Sequence, residues 1–165
     1  MGASVRLVSI QVAFLAFLLS AMPALGSADA TTGEAAKSLP DSFDSFRSLG
    51  SAKVQRDLYL GGPDEVGVVA AATRTYRDSH SAVFDVHVTR TQTDSGAYAL
   101  LTKIAGSKND IKTGIVGTAT MINWSEVAFC KGPIVVEISD AMDAVGNQDD
   151  FLRVARSFAA TGPWS

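Results

Sequence analysis

The chain has 165 residues, 47% of them hydrophobic and 19% charged, with one cysteine and a formal net charge of −3. A chain this long buries one core and is short for two, and a sequence so apolar and weakly charged collapses rather than staying solvated. A disulfide within the chain is excluded because Cys130 has no partner, and 14 Lys plus Arg against 17 Asp plus Glu offer no basic surface to nucleic acid or an anionic membrane.

The densest apolar run, Val12 to Leu19, follows a single charge at Arg6 and precedes Pro23. A positive start, a short apolar stretch and small residues beyond it are the pattern of a secretory signal, with cleavage after Gly26 or after Ala30. Ser9, Gln11 and Ser20 interrupt the run, which falls short of the roughly 20 apolar residues of a spanning helix. The sequence therefore predicts a signal peptide over 1–26, export to the periplasm or the cell exterior, and no membrane span after cleavage. Without 1–26 the chain loses Arg6 and no acid, so 13 Lys plus Arg against 17 Asp plus Glu leave −4.

Residues 27–38 are small or polar with no apolar period, which predicts a flexible leader and a single domain over 39–165. Phe43 and Phe46 are three apart and predict a short helical turn capped by Asp41 or Ser42. Asp57 to Leu60 reads as a strand, Gly61-Gly62-Pro63-Asp64 as a turn, and Val66 to Tyr76 as a longer strand ending at Arg77 to His80. Ser81 to Thr91 alternates, with Phe84, Val86 and Val88 on one face and Asp85, His87 and Thr89 on the other.

Ala97, Leu100, Leu101 and Ile104 then give a helical stripe, capped by Asp94 or Ser95 and ended by Gly106. Ile111 to Ile122 reads as one strand weakened by Gly114 and Gly117. Glu126 to Cys130 and Ile134 to Ile138 form a hairpin around Lys131-Gly132-Pro133, in which Cys130 is a buried small hydrophobe rather than a reactive thiol. A last helix starts near Asn147 to Asp150, buries Phe151, Val154, Ala155 and Phe158, and stops at Gly162-Pro163. Strands with hairpin-length links and two helices predict an α+β fold: an antiparallel sheet of five to seven strands with both main helices packed on one face.

Chemistry-bearing residues are few. Two histidines and one cysteine, with no H-E-x-x-H, C-x-x-C or EF-hand spacing, predict no metal site and no cofactor. Asp85 and His87 share a strand face and are the candidate base and orienting acid, against the plainer reading of a polar pair on the wet side of a sheet. Gly61-Gly62 and Gly114 with Gly117 lack the lysine and strand-to-helix setting of a phosphate loop and read as turn and bulge.

Asp149 and Asp150 read as helix-start acids, and Asp140 with Asp143 as carboxylates able to hold calcium only if brought together. Asn123-Trp124-Ser125 matches a glycosylation sequon. Tyr98 and Trp124 are the candidate ligand-binding aromatics, though Trp124 also suits a strand-end anchor and a dispersed tyrosine needs no ligand.

Leu39-Pro40, Asp57-Leu58-Tyr59 with Gly61-Gly62, Arg74-x-Tyr76, Ser95-Gly96-Ala97-Tyr98 and the hairpin Phe129 to Val136 together resemble a family of uncharacterised secreted bacterial proteins. In that family a small-residue helix start precedes an aromatic-x-K-G turn that feeds a Val-rich strand. The resemblance spans Leu39 to Ala160 and implies export and an α+β fold. It implies no activity and no catalytic residues.

Three functions fit these residues. The first is an exported noncatalytic module that binds a small molecule, a peptide or an envelope protein through one face of its sheet. The second is a small hydrolase or isomerase using Asp85 and His87. The third is an envelope structural or assembly protein.

Overall fold

The computed structural model describes residues 33–55, 66–142, 147–162 and 164. Among the described residues nine strands form one antiparallel sheet: β1 (Ser42–Phe43), β2 (Phe46–Ser48), β3 (Lys53–Gln55), β4 (Val68–Arg77), β5 (Val83–Thr91), β6 (Ile111–Thr113), β7 (Ala119–Ile122), β8 (Glu126–Lys131) and β9 (Ile134–Asp140). Their order is β1-β2-β4-β5-β9-β8-β7-β6, with β3 also on β4. Among the described residues two long helices complete the fold, α1 (Asp94–Ala105) and α2 (Gln148–Thr161), beside a short helical stretch over 33–37. The sheet is thus two meanders, β1 to β5 and β6 to β9, whose last strands pair with each other. The β5–β9 seam runs in register from Phe84 opposite Asp140 to Arg90 opposite Ile134.

The helices lie on opposite faces, which corrects the expectation that both pack on one. Side chains alternate along a strand, and on β8 Val127 and Phe129 join the core under α2 while Ala128 and Cys130 join the core under α1. All four are buried. A continuously apolar strand, rather than an alternating one, marks burial on both sides. The strand count also exceeds five to seven, because two stretches of the sequence each hold more strands than their pattern suggests and β3 lies where no element was expected.

The first is Phe43 and Phe46. They stack at 4.9 Å, not from adjacent positions on a helical turn but as directly opposed residues of the β1–β2 hairpin. A two-residue turn puts i and i+3 side by side across the strands as surely as a helix puts them side by side along its axis. Asp44 makes this possible by taking φ 48°. The second is Ile111 to Ile122, which is the antiparallel pair β6 and β7 rather than one strand. Gly117 in the link sits at φ 60°, where an added Cβ would lie 2.4 Å from the Cys130 carbonyl oxygen. No side chain fits there.

Elsewhere the sequence pattern holds. The β8–β9 hairpin turns at Gly132, the α2 stripe is Phe151, Val154, Ala155 and Phe158, and Phe84, Val86 and Val88 face α2. Ala97, Leu100 and Leu101 of the α1 stripe are buried, with Ala105 rather than Ile104 as the fourth and Ile104 partly buried against them, and Gly106 ends the helix. Its cap is Thr93, whose hydroxyl accepts from the Gly96 N–H at 3.0 Å, one position before the expected Asp94 or Ser95. Asn147 caps α2, with Asp149 and Asp150 in the first turn. The expected strand at Asp57 to Leu60 and turn at Gly61 to Asp64 lie outside the described residues, as do 1–32.

Residues 33–37 are helical, and Ala35 and Leu39 are buried in the core with Phe43, so packed structure begins ahead of Leu39. The 33–38 part of the expected leader is therefore ordered. Two of the quoted motifs meet here. Arg74 donates to the Leu39 carbonyl at 2.8 Å and the Tyr76 hydroxyl to the Pro40 carbonyl at 2.8 Å. Burial pushes the Tyr76 hydroxyl up to about 12, so it stays a donor at any ordinary pH.

Cys130 is 3% exposed, and burial pushes its thiol above the usual range. Native protein should therefore fail to react with an Ellman-type reagent over minutes, and react fully once unfolded in guanidinium. Fast reaction of the native form would contradict this packing.

Candidate functional site

The site grows out of the register. The face of the sheet that carries α1 holds a row running Lys53, Thr73, His87, Glu137 and Ala128 across β3, β4, β5, β9 and β8. A second row holds Thr75, Asp85, Ser139 and Glu126. α1 packs over the apolar part of this face, on Ala119, Met121, Ala128, Cys130 and Val135. The polar rows lie beyond it.

Both candidate catalytic residues are in these rows, with separate partners. Asp85 accepts from the Thr75 hydroxyl at 2.5 Å. His87 is 9% exposed, with Nδ1 2.8 Å from the Thr73 hydroxyl and Nε2 3.0 Å from the Thr89 hydroxyl. Gln55 donates to the same Thr73 oxygen at 3.1 Å. The Thr73 proton is then directed to His87 Nδ1, which leaves Nε2 as the protonated nitrogen of a neutral ring.

Among the described residues the carboxyl within ion-pair reach of the ring is that of Glu137, whose Oε1 is 4.0 Å from His87 Nε2, while Asp85 is bonded to Thr75. Glu137 is a lone acid inside Val135-Val136-Glu137-Ile138, and its side chain is 22% exposed. Burial, and after it the Glu126 carboxylate, pushes Glu137 up to about 7. Burial pushes His87 down to about 4. In both residues the low-dielectric setting favours the uncharged form. An acid that keeps its proton to near neutrality can give or take one there, whereas an imidazole that titrates near 4 is a weak base at that pH.

The candidate aromatics are elsewhere. Gly96 on α1 approaches the Val66 carbonyl and Thr91, so that flank of the helix faces β4 and β5. Tyr98 is two residues on, about 200° round the axis, and 49% exposed. Trp124 is 65% exposed in the β7–β8 turn. Asn123, not Trp124, anchors that strand end: its Oδ1 accepts from the Ser125 N–H, the Ser125 hydroxyl and the Glu126 N–H, and its Nδ2 donates to Glu126. The structure does not bring Tyr98 or Trp124 to the His87 row.

Asp140 accepts from the Met142 N–H at 2.8 Å, and Asp143 lies outside the described residues. Among the described residues, no three His, Cys, Asp or Glu side chains converge to hold a metal ion, and no helix is long and apolar enough to cross a membrane.

Comparison of the chain with known protein families, with curated proteins and with solved structures finds no match.

Proposed function

We propose that the chain is an exported, noncatalytic binding module that takes a polar, hydrogen-bond-donating ligand, from a small molecule, a peptide or an envelope protein, on the His87–Glu137 row. The observation that carries this reading is Glu137. Its neighbours Thr73, Thr75, Asp85 and His87 satisfy one another, whereas its carboxyl has only the distant His87 ring as a described partner. A largely buried carboxyl with spare acceptor capacity gains most from a donor brought by a ligand.

The test is an amide NMR titration of the 27–165 protein with a defined panel of amino acids, dipeptides and mono- and disaccharides. One class should shift the resonances of residues 73, 87, 89 and 137 saturably, and Glu137→Gln should weaken its binding at least tenfold. A panel that leaves those resonances unmoved, or moves only others, would overturn the reading.

A second reading, a small hydrolase or isomerase, is favoured by one observation, a carboxyl poised near 7. It places the general base at Glu137 rather than at Asp85 or His87. Turnover of an ester, peptide or glycoside substrate with a pH dependence lost in Glu137→Gln would establish it in place of the first.

A further inference from the structure

Arg47 on β2 and Arg77 on β4 are directly opposed in the antiparallel register, and both are exposed. Opposed residues on one face have Cβ atoms about 4.5–5.5 Å apart, and like charges so placed destabilise the sheet. We propose that this pair is an anion site that takes a phosphate group with two negative charges, carried by a free phosphate monoester or by a lipid headgroup. Arg77 is four residues along β4 from Thr73, about 14 Å from the His87–Glu137 row, so the site stands whether or not that row binds a ligand.

The register builds the site. Side chains alternate, so Thr73, Thr75 and Arg77 share the α1 face of β4 while Ala72 and Tyr76 join the core under α2. Ser42 lies opposite Arg47 and Val83 opposite Arg77, which makes a row Ser42, Arg47, Arg77 and Val83 across β1, β2, β4 and β5. α1 packs on Ala119, Met121, Ala128, Cys130 and Val135, toward the other side of the sheet.

Each acid near the pair is already engaged. Asp41 holds Arg74, and Asp44 accepts from the Ser157 hydroxyl. Asp78 accepts from two backbone N–H groups and from Arg153, and Asp85 accepts from the Thr75 hydroxyl. Among the described residues Arg74 and Arg153 thus have carboxylate partners, whereas Arg47 and Arg77 form no ion pair. Two cations are left side by side with nothing in the described chain to neutralise them.

That arrangement selects the ligand. A guanidinium offers parallel N–H groups to two oxygens of one anion, and two guanidiniums can share a tetrahedral oxyanion. A phosphate monoester carries about −1.5 to −2 at neutral pH on three terminal oxygens, which matches both arginines. A single carboxylate matches one. Binding a dianion replaces the repulsion across β2–β4 by attraction to both strands, so the ligand also stabilises the fold by mass action.

The experiment titrates the 27–165 protein with inorganic phosphate, and with acetate at matched ionic strength, following backbone amide and arginine Nε–H resonances by NMR. Phosphate should shift residues 42, 47, 77 and 83 saturably, with acetate at least tenfold weaker. Arg47→Gln and Arg77→Gln should each weaken phosphate at least tenfold, and Arg156→Gln, at an exposed position of α2, should leave it unchanged. Phosphate should raise the urea midpoint of wild type and not that of the double variant. Flotation with vesicles of phosphatidylcholine, with and without phosphatidic acid, separates the sources. Arginine-dependent binding to the acidic vesicles assigns a lipid headgroup, and phosphate shifts without vesicle binding assign a soluble monoester. Shifts that acetate reproduces, that never saturate or that survive in the double variant would overturn the site, as would no response to either phosphate or vesicles.

Discussion

Replacing Phe158 by alanine is expected to lower the unfolding free energy by about 3–5 kcal/mol, in the range of buried Phe truncations. Phe158 is fully buried on α2, edge-on to Phe43 at 5.1 Å and to Trp164 at 5.9 Å. Phe43 in turn meets Phe46 and Tyr76, each at 4.9 Å. The ring is therefore the point at which α2, the β1–β2 hairpin and the C-terminal Trp164 come together.

Relaxation fills little of the space left, because Phe43 is wedged against Phe46 and Tyr76 and the polar groups around it are tied down. Tyr76 is tied to Pro40, and the Trp164 indole donates to the Ala159 carbonyl at 2.7 Å. Against a total of about 5–15 kcal/mol for a domain, this loss leaves a marginal fold. Urea unfolding followed by tryptophan fluorescence measures it, and a loss below about 1 kcal/mol would mean that α2 is not part of the same core.

How far this arrangement could be read from sequence differs by element. Phe151, Val154, Ala155 and Phe158 were legible because the helical period is local, and so was the β8–β9 hairpin, whose turn and two apolar runs are adjacent in the chain. Phe43 and Phe46 were legible as neighbours and not as a hairpin, since a spacing of three serves both. The placement of the two helices was legible in part. The unbroken apolar run Val127 to Cys130 signals two covered faces, but which helix covers which face depends on strand order.

The site itself was the least legible. His87 and Asp85 stand out as polar residues on an alternating strand, and the structure keeps them on one face. The residue opposite His87 is fixed by the pairing of β5 with β9, fifty residues away in sequence, and no local pattern reports that register. The signal available was Glu137 itself, a single acid in the apolar strand Ile134–Asp140, where a charge has to be explained. Tyr98 and Trp124 illustrate the opposite case. Aromatic character singled them out, and it is silent on whether a side chain faces a site or open solvent.

Asp78→Ala is expected to cost about 3 kcal/mol, and Asp78→Asn only about 1–2, because the two substitutions remove different things. The Asp78 side chain is 2% exposed at the β4–β5 turn. One oxygen accepts from the His80 N–H at 2.8 Å and the Ala82 N–H at 2.9 Å, and the other from Arg153 of α2 at 3.3 Å. Alanine strands two backbone donors and removes one partner of the part-exposed Arg153 guanidinium, which keeps Asp150. Asparagine keeps an acceptor for the backbone and loses only the charge.

Arg153 is 42% exposed, so Arg153→Ala should cost under about 1 kcal/mol despite its stacking over Phe46, since solvent screens the pair. Burial pushes the Asp78 carboxyl up, but the Ala82 and His80 N–H groups and the Arg153 charge outweigh it and hold the carboxyl below its ordinary 3.8. A lowered acid stabilises the fold above its unfolded value and loses that contribution as pH falls through the folded one. Wild type should therefore lose this part of its stability only below pH 4, and Asp78→Asn should lack that acid-side loss. Chemical unfolding at pH 3 and pH 6 reads both effects. Equal costs for the alanine and asparagine variants would show that the ion pair to α2, rather than the backbone turn, is what Asp78 holds together.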